Sequence, residues 1–131
     1  MFGQPQYGIT RTVSHDFDTA VARIRATLAD NGFGVLTEID FSGTIKKKLG
    51  HDMGRYVILG ACHPESAYAA YQAATPIGLL LPCNVVVAQD GDDVVVSAID
   101  PQAMFTVVEA PGMDSVVDDV RQRLTAAIEA A

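Results

Sequence analysis

Cys62, His63 and Cys83 are the residues of this chain whose types best equip them for chemistry. A thiolate is a nucleophile and a soft metal ligand, and a neutral imidazole is a base, a metal ligand and an axial ligand of haem iron. Pro64 suits the first position of a helix, where its missing N–H would be unpaired anyway, and Glu65 adds negative charge to that first turn. His63 is therefore expected at a helix N-cap, with Cys62 just ahead at the mouth of a strand. The positive end of a helix favours thiolate over thiol and neutral imidazole over imidazolium, which are the ligating forms of both.

Three chemistries suit these positions. In the first, His63 is the axial ligand of haem, held noncovalently because the chain has no Cys-x-x-Cys-His attachment motif. Cys62 lies beside the ligand, and the apolar slot comes from Ile77, Leu79, Leu80 and Leu81 with a helix bearing Tyr68 and Tyr71. In a two-fold dimer, one His63 from each subunit would clamp a shared haem and support electron transfer, gas chemistry or sensing. In the second, Cys62, His63 and Cys83 form a zinc, copper or redox site, although the cysteines lack the short spacing usual in protein-only zinc sites. In the third, a cysteine is the nucleophile and His63 its base. Neighbours on an extended chain point to opposite faces, so Cys83 is geometrically freer than Cys62 to meet His63.

Against all three stands a plainer alternative, a structural or interaction module in which His63 caps a helix and the cysteines fill the core. Other candidates are weaker. His15 and His51 fall in loops or helix ends, and Met53, Met104 and Met113 suit filling better than ligation. Glu38 and Asp40 share a strand face that reads as solvated, and the glycines make no phosphate-loop pattern.

The elements that must position these residues are legible in the hydrophobic period. Tyr7 to Val13 reads as a strand rich in β-branched residues. Phe17, Val21, Ile24 and Leu28 make one stripe of a helix, with Ser14 or Asp16 at its start and Asn31-Gly32 as its stop. Phe33, Val35, Thr37, Ile39 and Phe41 alternate as one face of a half-buried strand, followed by a short helix from Ser42 to Leu49 closed by Gly50. Tyr56 to Ala61 is a continuous apolar run, as expected of a central strand covered on both faces. A helix from Pro64 to about Ala74 and the proline-bounded run Pro76 to Pro82 come next. Cys83 to Ala88 and Val94 to Ile99 form a hairpin about the turn Asp90-Gly91-Asp92-Asp93, and Gln102 to Val108 is a short helical turn. Val116, Val117, Val120, Leu124, Ala127 and Ile128 stripe the last helix. The order β-α-β-α-β-α-β-β-α implies an α+β two-layer sandwich, a mixed or antiparallel sheet with helices on one face.

Composition narrows the class. The 131 residues suffice for one core, so residues 1–131 form a single domain, and the 49% hydrophobic content leaves apolar surface available for a ligand or an interface. A net charge of −7 repels a phosphate backbone, and Lys46-Lys47-Lys48 has no interleaved aromatics, so nucleic acid is not expected as a partner. The N-terminal residues lack a signal-peptide layout and no apolar run approaches a membrane span, which implies a cytoplasmic protein with reduced thiols and no membrane partner.

Three segments carry a resemblance: Gly32-Phe33-Gly34-Val35-Leu36-Thr37-Glu38-Ile39-Asp40, Ile58-Leu59-Gly60-Ala61-Cys62-His63-Pro64, and Ile77 to Val87 through Leu81-Pro82-Cys83-Asn84. In this order, and over nearly the whole chain, they resemble the bacterial and archaeal "domain of unknown function 302" family. The resemblance implies a small α+β domain that forms homodimers, and it carries over Cys62, Pro64, Pro82, Cys83 and Asn84. Position 63 is more often another polar residue in that family, so His63 is the departure on which a special chemistry would rest.

Overall fold

The computed structural model describes residues 1–108 and 110–131. Its elements are β1 (Gly8–Val13), α1 (Phe17–Asp30), β2 (Gly34–Asp40), α2 (Phe41–Leu49), β3 (Tyr56–Cys62), α3 (Pro64–Ala73), β4 (Cys83–Asp90), β5 (Asp93–Ile99), α4 (Pro101–Met104) and α5 (Asp114–Ala130). Single 3-10 turns at Thr75–Leu79 and Phe105–Val107 fill two connections. The α+β order expected from the sequence is present, and the short helical turn expected from Gln102 to Val108 is α4 followed by the 3-10 turn at Phe105–Val107. The sheet runs β1-β5-β4-β3-β2, and every pairing is antiparallel, which decides between the mixed and antiparallel alternatives.

The two long helices cover one face. Ile24 and Leu28 of α1 and Leu124 and Ile128 of α5 join Leu59, Val85, Val87 and Val96 in a single core. Each of these side chains is almost wholly buried, and burial of one such residue contributes about 1.5–3 kcal/mol. Strand alternation sends Asn84, Val86 and Ile58 to the side of the sheet opposite α1 and α5. The continuous apolar run of β3 predicts cover on both faces. Its Val57, Leu59 and Ala61 side packs into the core; on the other side Tyr56 and Ile58 are half-buried, with Phe41 of α2 against the Tyr56 ring at 5.4 Å between centroids.

The continuous alternation expected from Phe33 to Phe41 is broken. Val35 pairs with Ala61, but the next pair is Thr37 with Gly60, so Leu36 is the extra residue of a bulge. Phe33 and Val35 therefore pack with the core, whereas Thr37 and Ile39 stand opposite Gly60 and Ile58 on the far face. Glu38 turns towards α1 and pairs with Arg25 at 2.7 Å. Asp40 caps α2 by accepting from the Gly43 N–H at 3.0 Å. Neither carboxylate is left as half of an acid–base pair. The hairpin is also tighter than expected: Asp90 and Asp93 are themselves paired, leaving Gly91-Asp92 as a two-residue turn with Gly91 at φ +61.

Helix ends fix the site's surroundings. Asp16, not Ser14, caps α1: its carboxylate accepts from the Thr19 N–H at 2.8 Å, a bond that holds Asp16 below the ordinary carboxylate range. At the other end the Phe33 N–H reaches Leu28 O and the Gly32 N–H reaches Ala29 O, a Schellman closure that needs Gly32 at φ +88. The last turn of α5 has no basic residue of its own. Arg11, from β1, donates instead to Glu129 O at 2.6 Å and Ile128 O at 3.4 Å. Replacing Arg11 by Met should lower the unfolding free energy by about 1 kcal/mol in urea titrations, because it removes both the bonds and a cation beside the helix's negative end. Wild-type stability in that variant would mean that water serves these carbonyls equally well.

Candidate functional site

A cavity of about 310 Å³ opens where the C-terminal end of β3 and the start of β4 meet α3, α4 and α5. Its walls are largely apolar, with Phe33, Leu81, Met104, Val117 and Val120 among them. Cys62, His63 and Cys83 all border it, so the fold does bring the three chemistry-bearing residues to one place.

His63 occupies the N-cap of α3 in extended conformation and Pro64 takes the first helical position. Its side chain, however, makes no capping bond to the helix backbone. The imidazole Nδ1 instead bonds Ser66 Oγ at 2.7 Å. The ring meets Phe33 edge-on, with centroids 5.9 Å apart. Its other edge lies over Gly32: a Cβ there would stand 3.0 Å from His63 Cδ2 and 3.3 Å from Nε2. Arg123 of α5 stands 3.0 Å from the same Cβ position and donates to Asn31 O at 3.0 Å. The ring is thus oriented by a hydroxyl, an aromatic edge and a glycine. When Nδ1 donates to Ser66, Nε2 carries the lone pair.

The thiols differ from expectation. Register sets Ala61, not Cys62, opposite Cys83, so Cys83 points into the core while Cys62 faces the other side of the sheet. Burial raises the Cys62 thiol above its ordinary value; burial, with Cys62 nearby, pushes Cys83 up to about 11. The thiolates expected at a helix N-terminus are therefore disfavoured, since desolvation outweighs the helix's positive end. Among the described residues, no group of three or more His, Cys, Asp or Glu side chains is placed to hold a metal ion.

The expected apolar slot is divided. Leu81 lines the His63 cavity, whereas Leu79 and Leu80 line a separate, larger groove on the sheet face opposite α1 and α5. Ile77 is buried beside Ala70, Met113 and Val117. Tyr68 and Tyr71 stack on each other on the exposed side of α3, with ring centroids 6.3 Å apart, and border neither space. Asn84 pairs in register with Gly60 on β3, and it faces the groove and not His63. Leu81, Pro82 and Met104 border both spaces and form the wall between them.

Sequence reasoning missed Ser66, Gly32 and Met104. Ser66 had a usable signal, since it stands three residues after the N-cap, the spacing of reciprocal capping side chains. Gly32 was read only as a helix stop, and nothing in the local pattern showed that His63 would lie against it.

Comparison with known proteins agrees with this architecture. A crystal structure of an uncharacterized conserved DUF302 protein from Bacillus stearothermophilus superposes with a TM-score of 0.88 at 25% sequence identity, covering 95% of this chain and 98% of that one. No curated protein matches the chain. The domain of unknown function DUF302 is matched by residues 9–131, and the chain belongs to that family.

Proposed function

We propose that the domain binds a small apolar ligand in the His63 cavity, and that haem held noncovalently through His63 Nε2 is that ligand. The observation that carries the reading is the Nδ1–Ser66 Oγ bond at 2.7 Å in an apolar cavity. A ligating histidine is characteristically oriented through its second ring nitrogen in this way. At about 310 Å³ the cavity lies at the small end of ligand sites, so it takes an edge of a macrocycle and leaves the rest outside. Phe33, Leu81 and Val117 exclude water from that edge while Ser66 holds the imidazole. Bound haem would supply electron transfer or gas binding, according to what occupies its second axial position. A zinc or copper site at Cys62, His63 and Cys83 is the weaker reading, because both thiols are pushed towards their protonated form.

The reading includes a homodimer, with a second copy covering surface that one copy leaves open. Around edge strand β2, Leu36, Ile39 and Leu49 are exposed, and α2 buries none of its residues. Sedimentation equilibrium should show a dimer, and a monomer at every concentration would remove that part of the reading.

Titrating haemin into the protein should produce a protein-bound Soret band. His63→Ala should abolish it or weaken binding at least about tenfold, and Ser66→Ala should weaken binding by about tenfold, the usual effect of removing an orienting partner. A free-haem spectrum, or a Soret band unchanged in His63→Ala, would overturn the axial-ligand reading.

A further inference from the structure

The larger concavity of the molecule is not the one that holds His63. It is a groove of about 810 Å³ on the sheet face opposite α1 and α5, walled by the N-terminal Met1, Phe2 and Pro5 and by Ala103 and Met104 of α4, within the range of sites for small molecules. Half-buried Val86 and Ile99 form its floor, where a solvated face of an antiparallel sheet would alternate to polar residues. Leu79, 89% exposed, and Val107, 75% exposed, stand at its rim.

Two further observations define what the groove would accept. Among the described residues no acidic or basic side chain lines it, in a chain whose formal charge is −7, and the one cation at its border, the Met1 ammonium, is held by Asp90 at 3.1 Å. A carboxylate or phosphate brought into it would lose water and would have to compete with Asp90 for the Met1 ammonium. The polar side chains it offers are neutral: the Asn84 amide, the Tyr56 and Tyr7 phenols, and the Ser97 hydroxyl, which Thr10 Oγ1 already engages at 2.7 Å. Gly60 contributes through its missing side chain, because Pro82 lies 2.8 Å from where a Cβ would stand, next to Asn84 in the pairing.

We infer that this groove is a binding site for a neutral, elongated apolar molecule of the long-chain alcohol, ester or ketone class, whose oxygen meets the Asn84 amide while its chain lies along Val86 and Ile99. The site is separate from the His63 cavity, from which Leu81, Pro82 and Met104 divide it. It does not depend on whether haem is bound there.

The test is titration of the full chain with Nile red, a neutral fluorescent probe, followed by competition with dodecanol and with dodecanoate. Saturable binding of one probe per chain is expected, with dodecanol displacing it at least about tenfold more effectively than the anion. Val86→Arg on the floor and Leu79→Arg on the exposed rim should each weaken the probe at least about tenfold, and His63→Ala should leave it unchanged. Far-UV circular dichroism checks that each variant is folded; Leu79, being exposed, keeps the test valid should Val86→Arg misfold. Unsaturable binding, equal competition by dodecanoate, or indifference to the arginine variants overturns the inference. So does a wild-type dimer that excludes the probe and dissociates in Val86→Arg, because a second copy would then be the occupant.

Discussion

Raising the pH from 9 to 11 should cost the folded chain about 2 kcal/mol through Cys83 alone. Its thiol has an ordinary value of 9.0 and is pushed up to about 11 by burial in the core beside Val85 and Ala61. Between those limits the unfolded chain releases the proton and the folded chain keeps it. The unfolded state then binds fewer protons, and stability falls as pH rises. The contribution is complete below pH 9 and is lost as pH climbs through 11. Two pH units at about 1.4 kcal/mol each set the upper limit. The same sign holds for Cys62, whose shift also comes from burial. Urea titrations at pH 8, 9, 10 and 11 with a reductant present should show the decline, and Cys83→Ala should flatten most of it. A pH dependence identical in that variant would show that Cys83 is not the group responsible. The same protonation should leave Cys83 nearly inert to iodoacetamide at neutral pH, which counts against covalent catalysis at this position.

The parts of the molecule that were legible from sequence are those that local periodicity controls. The stripes of α1 and α5, the left-handed stop at Gly32, Pro64 at the head of α3 and the apolar β4–β5 hairpin all express rules that act within one or two turns of chain. The misreadings arose where a distant partner decides. A bulge at Leu36 depends on how β2 pairs with β3, and an unbroken alternation from Phe33 to Phe41 contains no sign of it. The cysteines illustrate the same limit. Their closeness to His63 followed from β4 lying beside β3, but their protonation follows from burial, which the N-cap position of His63 did not disclose. The division of the leucine-rich loop between two spaces was equally hidden, because Leu80 and Leu81 are neighbours in sequence and only Leu81 reaches the His63 cavity.

Gly32 is where the helix stop and the candidate site become one structural fact, and Gly32→Val should cost about 3 kcal/mol or more. Part of that loss is conformational: at φ +88 a β-branched residue is strained by about 1–2 kcal/mol. The rest is steric, because a Cβ would stand 3.0 Å from both His63 Cδ2 and Arg123 Nη1, and overpacking typically adds about 1–3 kcal/mol. The two contributions separate in a second variant. Asn tolerates left-handed backbone better than other side chains, so Gly32→Asn should recover much of the conformational part while keeping the steric one. Both variants should then bind haemin less tightly than wild type, because in each the added atoms push the imidazole away from Ser66. Urea unfolding and haemin titration on the same samples distinguish the cases. If Gly32→Asn is as stable as wild type and binds haemin equally well, the ring has room to move aside and Gly32 serves only the helix end. If it is nearly as stable but binds haemin about tenfold more weakly, Gly32 is a positioning residue for His63, holding the Nε2 edge at the place the cavity requires.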